Sequence, residues 1–201
     1  NTTGAASAGS PERGPPRTQD GPGGETMSAE SRFYDDLETR DPEVREAALM
    51  AALPDQIAHA RENAPAFAKI LADIDPRAVD SRAALAKLPV TYKSDLIGLQ
   101  KKDPPLGGFA GTPTGELVHI FASPGPIYEP QGNRPDSWRT ARALYAATFR
   151  AGDLVHNCFS YHFTPAGAML ESAAHALGCP VFPGGVGNTE GQVQAIADLR
   201  P

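Results

Sequence analysis

Residues that can hold an anion stand together near the middle of the chain. The segment LVHIFASPGPIYEP, residues 117–130, passes from an apolar strand pattern into a Gly/Pro-rich loop containing Ser123 and Gly125, and a helix-forming segment follows. Many α/β proteins hold a phosphate with this order of strand, glycine turn and helix, because backbone N–H groups and the helix N-terminus face the anion. The pattern therefore indicates a candidate phosphate-binding loop.

Three other residues of this loop weaken that interpretation. Pro124 and Pro126 have no backbone N–H to donate. Glu129 places a negative charge where an anion-binding loop would gain from a lysine. From the residues alone, a structural turn between strand and helix is favoured, and a working phosphate loop is the alternative.

A second candidate site lies in NCFSYHFTPAG, residues 157–167, where an apolar strand ends in aromatic residues. Open α/β sheets bind ligands at the carboxyl ends of their strands. Phe159, Tyr161, His162 and Phe163 are therefore placed to line a pocket for a flat or apolar ligand. The alternative is that these rings cover the sheet and pack on the following helix. No carboxylate or nucleophile accompanies His162 in the sequence, which favours a polar pocket wall over a general base.

The third candidate is the glycine-rich turn PGGVGNTEGQ, residues 183–192. Gly184, Gly185 and Gly187 permit positive φ angles and a close approach to a ligand or to another segment. A glycine turn before a helix is common, so this signal is weak by itself.

The elements that position these segments alternate in type from residue 117 onward. Three short strands are predicted at residues 117–121, 154–159 and 179–182, with helices between them at about 136–149 and 164–177. This βαβαβ order implies parallel strands joined by crossover helices. The predicted fold class is α/β, with part of a doubly wound, mainly parallel sheet.

A final helix is expected to start at Thr189. Its hydroxyl can cap the helix while Gln192 reaches back as the partner in a capping box. Val193, Ile196 and Leu199 then recur at helical spacing and form a stripe that we expect to be buried.

Ahead of the strands, residues 31–88 have a helical pattern. Asp41 is a suitable N-cap, and Pro42 stands at the first helical position. Three prolines are expected to divide the pattern into short helices: Pro54, Pro65 and Pro76. Short helices gain most of their stability from tertiary burial, so this part should pack on something larger.

Composition limits the classes of function. The chain has 201 residues, 40% of them hydrophobic, and a net charge of -6 without a Lys/Arg-rich block, which argues against a nucleic-acid partner. No apolar run is long enough to cross a bilayer and no signal peptide opens the chain, so we expect a soluble, cytoplasmic protein without a membrane partner. Cys158 and Cys179 lie in apolar segments and are interpreted as buried free thiols. Three histidines in or near apolar segments are interpreted as core or surface residues with satisfied hydrogen bonds: His119, His156 and His175.

The N-terminal head differs sharply from the rest. Residues 1–26 contain no aromatic residue and no Leu, Ile or Val, so we expect disorder there and translation from Met27. The expected organisation is a disordered head at 1–30, a helical lead-in at 31–110 and a βαβαβ half-domain at 111–201.

Four segments together resemble a known family in order and spacing. They are LPVTYKSDL at 88–96, the strand and loop at 117–130, FRAGDLVHNCFSYHF at 149–163, and LGCPVFPGGVGNTEGQVQAIADLRP at 177–201. The chain resembles the N-terminal part of phenylacetate-CoA ligase-like proteins of the adenylate-forming superfamily.

This resemblance implies a two-step reaction on an aromatic or other small-molecule carboxylic acid. The carboxylate would attack the α-phosphate of ATP to give an acyl-adenylate, and coenzyme A would then displace AMP to form a thioester. Magnesium and the glycine-rich loop would neutralise the phosphates. Phe159 and Tyr161 resemble the family's acyl and adenine-side pocket, and Gly187, Asn188 and Thr189 resemble a pocket-edge turn.

The chain departs from the family at the phosphate loop. The family loop reads Ala-Ser-Ser-Gly-Thr-Thr-Gly-Lys-Pro, whereas residues 122–130 read ASPGPIYEP, a degenerate loop that retains Ser123 and Gly125 and carries Glu129. The alternative is therefore a non-catalytic relative that uses the acyl pocket for binding or partner contact. An unrelated Rossmann-type module is disfavoured because no strand leads into G-x-G-x-x-G. The chain ends before the family's adenine, ribose and magnesium segments, so we expect no turnover from this fragment alone.

Overall fold

The computed structural model describes residues 32–201. The expectations of a disordered head and of translation from Met27 concern residues outside that range.

The helical lead-in begins with α1, Pro42–Asn63. The Asp41 side chain accepts hydrogen bonds from the backbone N–H groups of Glu43, at 2.8 Å, and Val44, at 3.2 Å, which confirms the predicted N-cap. The expected interruption at Pro54 is wrong, because α1 continues through this residue. A proline inside a helix removes one backbone hydrogen bond, and the packing of α1 on the elements that follow offsets that loss.

The next elements fold back on α1. They are α2, Pro65–Ile70, a 3-10 turn at Pro76–Ala78, and α3, Arg82–Leu85. The core they form has Ile57, Leu71 and Val79 buried at its centre, with Phe67, Ile70, Ile74, Ala84 and Leu88 packed around them. Burying one such large side chain contributes about 1.5–3 kcal/mol. Tertiary burial therefore holds these short helices, as the sequence predicted.

A β-hairpin follows α4, Lys93–Lys102, and a 3-10 turn at Thr114–Glu116. Strands β1, His119–Ser123, and β2, Ile127–Gln131, pair antiparallel. The expected passage from strand through loop to helix is therefore wrong, because β2 returns beside β1. Gly125 at the tip has a φ of +131°, a conformation that favours glycine. Because only three residues separate the paired Ser123 and Ile127, the hairpin loop closes at little cost in chain entropy.

The parallel pair comes later in the chain. Strands β3, Val155–His156, and β4, Val181–Phe182, pair parallel and are joined by α6, Ala166–Ala176. This pair and its crossover helix confirm the second half of the predicted βαβαβ order. Helix α5, Ala141–Ala146, precedes β3. A single three-stranded parallel sheet is not observed, since residues 32–201 hold two separate two-stranded sheets.

One backbone hydrogen bond links the two sheets. The N–H of Ala122 on β1 donates to the carbonyl of Phe163, in the loop after β3, at 2.8 Å. Phe163 has a φ of +61°, in the left-handed region that a large side chain rarely adopts. The loop after β3 is therefore held against the hairpin.

The last helix, α7, spans Thr189–Leu199, which confirms the predicted start, but its N-terminus is not capped as predicted. Asn188, with a φ of +45°, is the N-cap residue, and no side chain caps the helix, so the capping box of Thr189 and Gln192 is wrong. The stripe on α7 is also exposed rather than buried, with Val193, Ile196 and Leu199 at 61%, 43% and 45% exposure. No element within residues 32–201 covers this face.

The segment before α1 is tied to α5 by Arg142. Its guanidinium donates to Asp35 at 2.7 and 2.8 Å and to Glu38 at 2.8 Å. The guanidinium carbon also lies 5.1 Å from the centre of the Tyr34 ring. The hydrogen bonds from Arg142 lower the pKa of the Asp35 carboxyl. This contact fixes the N-terminal segment of the described chain beside the element that leads into β3.

The two cysteines have different surroundings. Both are free, but Cys158 is exposed and only Cys179 is buried, so the expectation of two buried thiols is wrong for Cys158. The thiol of Cys179 donates to the Arg150 carbonyl at 3.0 Å, and burial raises its pKa. In the part of the chain that the structure describes, no helix is long and apolar enough to span a membrane.

Candidate functional site

The tip of the hairpin brings a hydroxyl, a carboxylate and an ammonium group together. Ser123 Oγ donates to Glu129 Oε1 at 2.9 Å, and Lys93 Nζ lies 3.2 Å from the same oxygen. Ser123 ends β1, Glu129 lies on β2, and Lys93 is the first residue of α4. The charge of Glu129 is therefore met by two donors.

Helix α4 also fixes the backbone beside Glu129. The side-chain amide of Gln100 donates to the Tyr128 carbonyl at 2.8 Å and accepts from the Tyr128 N–H at 2.9 Å. Gln100 is only 7% exposed. This pair of bonds satisfies the edge of β2 as a neighbouring strand would, and it holds the strand that carries Glu129 at a set distance from α4.

A cavity of about 330 Å³ lies between α4 and β2. Its walls are mostly apolar, and its polar groups include the Lys93–Glu129 pair, Thr91 and Gln100. The apolar lining comprises Leu96, Leu106, Phe109, Ala110, Ile127 and Pro130. The cavity lies on the α4 side of the degenerate loop.

Asn157 organises the carboxyl end of β3. This side chain is 4% exposed, and its amide nitrogen donates to the Tyr161 hydroxyl at 2.8 Å and to the Gly167 carbonyl at 2.9 Å. Its amide oxygen accepts from the Phe159 N–H at 3.1 Å. One buried side chain thus fixes both ends of the aromatic segment after β3.

The Tyr161 hydroxyl is held in its protonated form. Burial is the main cause that raises its pKa, and the neighbouring Glu171 carboxylate raises it further, while the hydrogen bond from Asn157 acts in the opposite direction. At neutral pH this phenol forms part of the surface and makes hydrogen bonds, and it cannot serve as a base. A side chain at Gly167 would meet the Tyr161 ring at 2.8 Å, so glycine is required where the ring lies against α6.

The glycine turn after β4 is joined to the same site. The Gly185 N–H donates to the Asn157 carbonyl at 3.0 Å. Gln192 on α7 donates from its amide nitrogen to the carbonyls of Gly185, at 3.1 Å, and Gly187, at 2.6 Å. Its amide oxygen lies 3.0 Å from His156 Nε2. The predicted second and third candidate segments therefore form one surface at the carboxyl ends of the parallel pair.

The structure places the remaining predicted site residues on the outside of this surface. Phe159 is 55% exposed and Phe163 is 81% exposed, so these two rings do not pack on the following helix. His162 is exposed as well. The other three predicted residues, Gly187, Asn188 and Thr189, are exposed at the start of α7.

Several side chains that hold these sites were not among the predicted site residues, namely Lys93, Gln100, Asn157, Glu171 and Gln192. Three of them stood within recognised segments, because Lys93 belongs to the run at 88–96, Asn157 opens the segment at 157–167 and Gln192 closes the segment at 183–192. A polar amide inside an apolar strand was the available signal for Asn157. Within residues 32–201, no group of three or more His, Cys, Asp or Glu side chains is placed to hold a metal ion.

The comparisons with known proteins agree with the resemblance seen in the sequence. A phenylacetate-coenzyme A ligase of Aromatoleum evansii is 35% identical over 154 residues, which cover 72% of this chain and 34% of that ligase. The ligase of the same name from Pseudomonas putida is 32% identical over 182 residues, or 86% of this chain and 40% of that ligase. The chain is a homologue of the phenylacetate-CoA ligases. No protein-family model matches it.

Solved structures place this phenylacetate-CoA ligase homologue in the fold of acyl-CoA ligases. A 2-hydroxyisobutyryl-CoA ligase in the postadenylation state superimposes with a TM-score of 0.78 at 24% identity, over 88% of this chain and 39% of that chain. An open conformation of this ligase, in complex with 2-HIB-AMP and CoA, gives a TM-score of 0.77 at 26% identity. The predicted mixed α/β fold of an adenylate-forming ligase is thereby confirmed. The homologue spans 34–40% of the length of these two ligases.

Proposed function

We propose that the whole protein containing this chain is an acid–CoA ligase. In the first step a carboxylate oxygen of the acid attacks the α-phosphorus of ATP, and pyrophosphate leaves. In the second step the sulfur of coenzyme A attacks the acyl carbon, and AMP leaves as the thioester forms. The names of the homologous ligases and the complex of one structural neighbour with 2-HIB-AMP and CoA support this reaction class.

The observation that carries the proposal is the surface at the carboxyl ends of β3 and β4. Asn157, Tyr161 and Gly185 are linked there by direct contacts, and open α/β sheets bind ligands at this edge. The exposed rings of Phe159 and Phe163 add apolar area beside it. We assign this surface to the acyl side of the site, where an aromatic or other small carboxylic acid would lie.

The residues of the hairpin tip do not fit a nucleotide phosphate as they stand. Ser123 already donates to Glu129, Lys93 is paired with the same carboxylate, and two prolines of the tip lack N–H groups. ATP, magnesium and coenzyme A therefore belong to the proposal for the whole protein, and no step is assigned to the tip. The chain by itself is proposed to be inactive.

The misfit at the tip is the observation behind the alternative, a non-catalytic relative that binds acyl compounds or a partner, and the names of the homologous ligases do not favour it. Exchange of labelled pyrophosphate into ATP, dependent on a carboxylic acid and measured on the whole protein, separates the two. We expect exchange with at least one member of a panel of aromatic and short hydroxy acids. No exchange across the panel would contradict the ligase proposal.

A matched pair of variants tests the acyl surface. Tyr161→Phe keeps the ring but removes the hydroxyl that joins Asn157 and Glu171. We expect KM for the acid to rise about fivefold, equivalent to about 1 kcal/mol, because the ring is then less firmly positioned beside the acid. KM for ATP should change little. Tyr92→Phe, at a 63% exposed position, is the control. Equal effects of both variants would place the acid elsewhere.

A further inference from the structure

Two side chains at the hairpin tip are suited to bind an oxyanion, and both are already engaged by one carboxylate oxygen. Ser123 Oγ is 2.9 Å and Lys93 Nζ is 3.2 Å from Glu129 Oε1. A hydroxyl and an ammonium group that converge on one oxygen are the arrangement that a phosphate oxygen would also need. Glu129 therefore lies where an external anion would compete for the same donors.

The position of Glu129 is set by the fold. It lies on β2 opposite Phe121 in the hairpin register, and its neighbour Tyr128 is held to Gln100 by two hydrogen bonds. The carboxylate is thus tethered beside its donors, at an effective concentration far above that of a free anion. An incoming phosphate would have to displace it and would also face its charge.

We propose that Glu129 is a built-in anion that occupies the anion position between Ser123 and Lys93. It thereby lowers the affinity of this loop for polyphosphate ligands. Lys93 then has a second role as the cation that an external phosphate would use once Glu129 is neutralised. The inference goes beyond the proposed function, which assigns no step to the hairpin tip, and it concerns only which anions the tip admits. It makes Glu129 a residue that determines specificity, without a part in the chemical steps.

The test uses the full chain and inorganic tripolyphosphate, titrated by calorimetry at low ionic strength. Glu129→Gln keeps the size of the side chain and removes its charge, and Glu129→Met is a second neutral variant. Glu116→Gln, at an exposed position on the turn before β1, is the control, because it changes the net charge by the same amount away from the tip. Glu129→Gln combined with Lys93→Met tests where the anion binds.

We expect either neutral variant at position 129 to bind tripolyphosphate at least ~10-fold more tightly than the unmodified chain. Glu116→Gln should stay within about twofold, and the added Lys93→Met should abolish the gain. Equal affinities for the Glu129 and Glu116 variants would overturn the proposal. A gain that survives Lys93→Met would overturn it as well, because the anion would then lie elsewhere. Thermal melts identify any variant that fails to fold. If Glu129→Gln or Glu129→Met does not fold, the tripolyphosphate affinity of the other one tests the proposal.

This result is separate from that of the exchange assay. A gain in tripolyphosphate affinity without acid-dependent exchange would leave the built-in anion standing and remove the ligase proposal. Acid-dependent pyrophosphate exchange by the unmodified whole protein, without a gain in tripolyphosphate affinity when Glu129 is neutralised, would support the ligase proposal and refute the built-in anion.

Discussion

Replacing Asn157 by alanine removes the side chain that joins β3 to the aromatic segment. Three hydrogen bonds are lost: two that the amide donates, to the Tyr161 hydroxyl and the Gly167 carbonyl, and one that it accepts from the Phe159 N–H. Asn157 is 4% exposed, so water does not readily replace them. At a net value of about 1 kcal/mol for each bond, the free energy of unfolding should fall by about 3 kcal/mol.

Urea denaturation followed by circular dichroism measures this change on the full chain. Asn133→Ala is the matched control, because Asn133 is exposed between β2 and α5, and it should alter the free energy of unfolding by no more than about 0.5 kcal/mol. The difference in the free energy of unfolding between the two variants therefore reports the buried hydrogen bonds of Asn157 and not the general effect of replacing an asparagine by alanine. A decrease of less than about 1 kcal/mol for Asn157→Ala would refute the reasoning, since the three bonds would then be replaceable.

Two further predictions concern the same surface. Burial and Glu171 raise the pKa of Tyr161 above its usual value of about 10, so the folded state holds this proton more tightly and the free energy of unfolding should fall as pH rises above about 10. Spectrophotometric titration should show Tyr161 ionising late, and earlier in Glu171→Gln; an unchanged titration would contradict the contact. Gly184→Ala would place a Cβ 2.8 Å from His156 Nε2 and should destabilise the chain by about 1–3 kcal/mol in thermal melts, unlike Gly115→Ala, where the site is open. Equal melting temperatures would show that the turn can shift.

Local signals in the sequence were sufficient for part of the fold. The Asp41 cap with Pro42 fixed the start of α1, because both act through the residues immediately beside them. The apolar strands on either side of α6 gave the parallel pair for a similar reason, since a helix between two strands imposes a crossover. These elements could be predicted without information on contacts between residues distant in the sequence.

The hairpin required such knowledge. The Gly/Pro-rich tip fits a turn into a helix as well as a turn into a strand, and the choice depends on whether Ile127 pairs with Ser123. Pro54 shows the same limit, because α1 continues through it to Ile57, which is buried with Leu71 and Val79 in a cluster that the local sequence does not reveal.

The sequence predicted a candidate site at the strand ends, but it did not predict the contacts within that site. Lys93 meets Glu129, and His156 meets Gln192, each across 36 residues of chain. Side-chain pairs of this kind follow from how the elements pack, and one sequence gives no direct sign of them. The residue types selected the candidate segments, whereas the contacts between them came only from the fold.

The bond between Ala122 and Phe163 has a mechanical consequence. It connects the strand that ends in Ser123 with the loop that carries Tyr161, and the left-handed backbone at Phe163 leaves that loop little slack. A tilt of the hairpin of even an ångström must pull on the aromatic loop, stretch this bond or break it. A displacement of the hairpin would in this way be transmitted through the Ala122–Phe163 hydrogen bond to the loop that carries Tyr161.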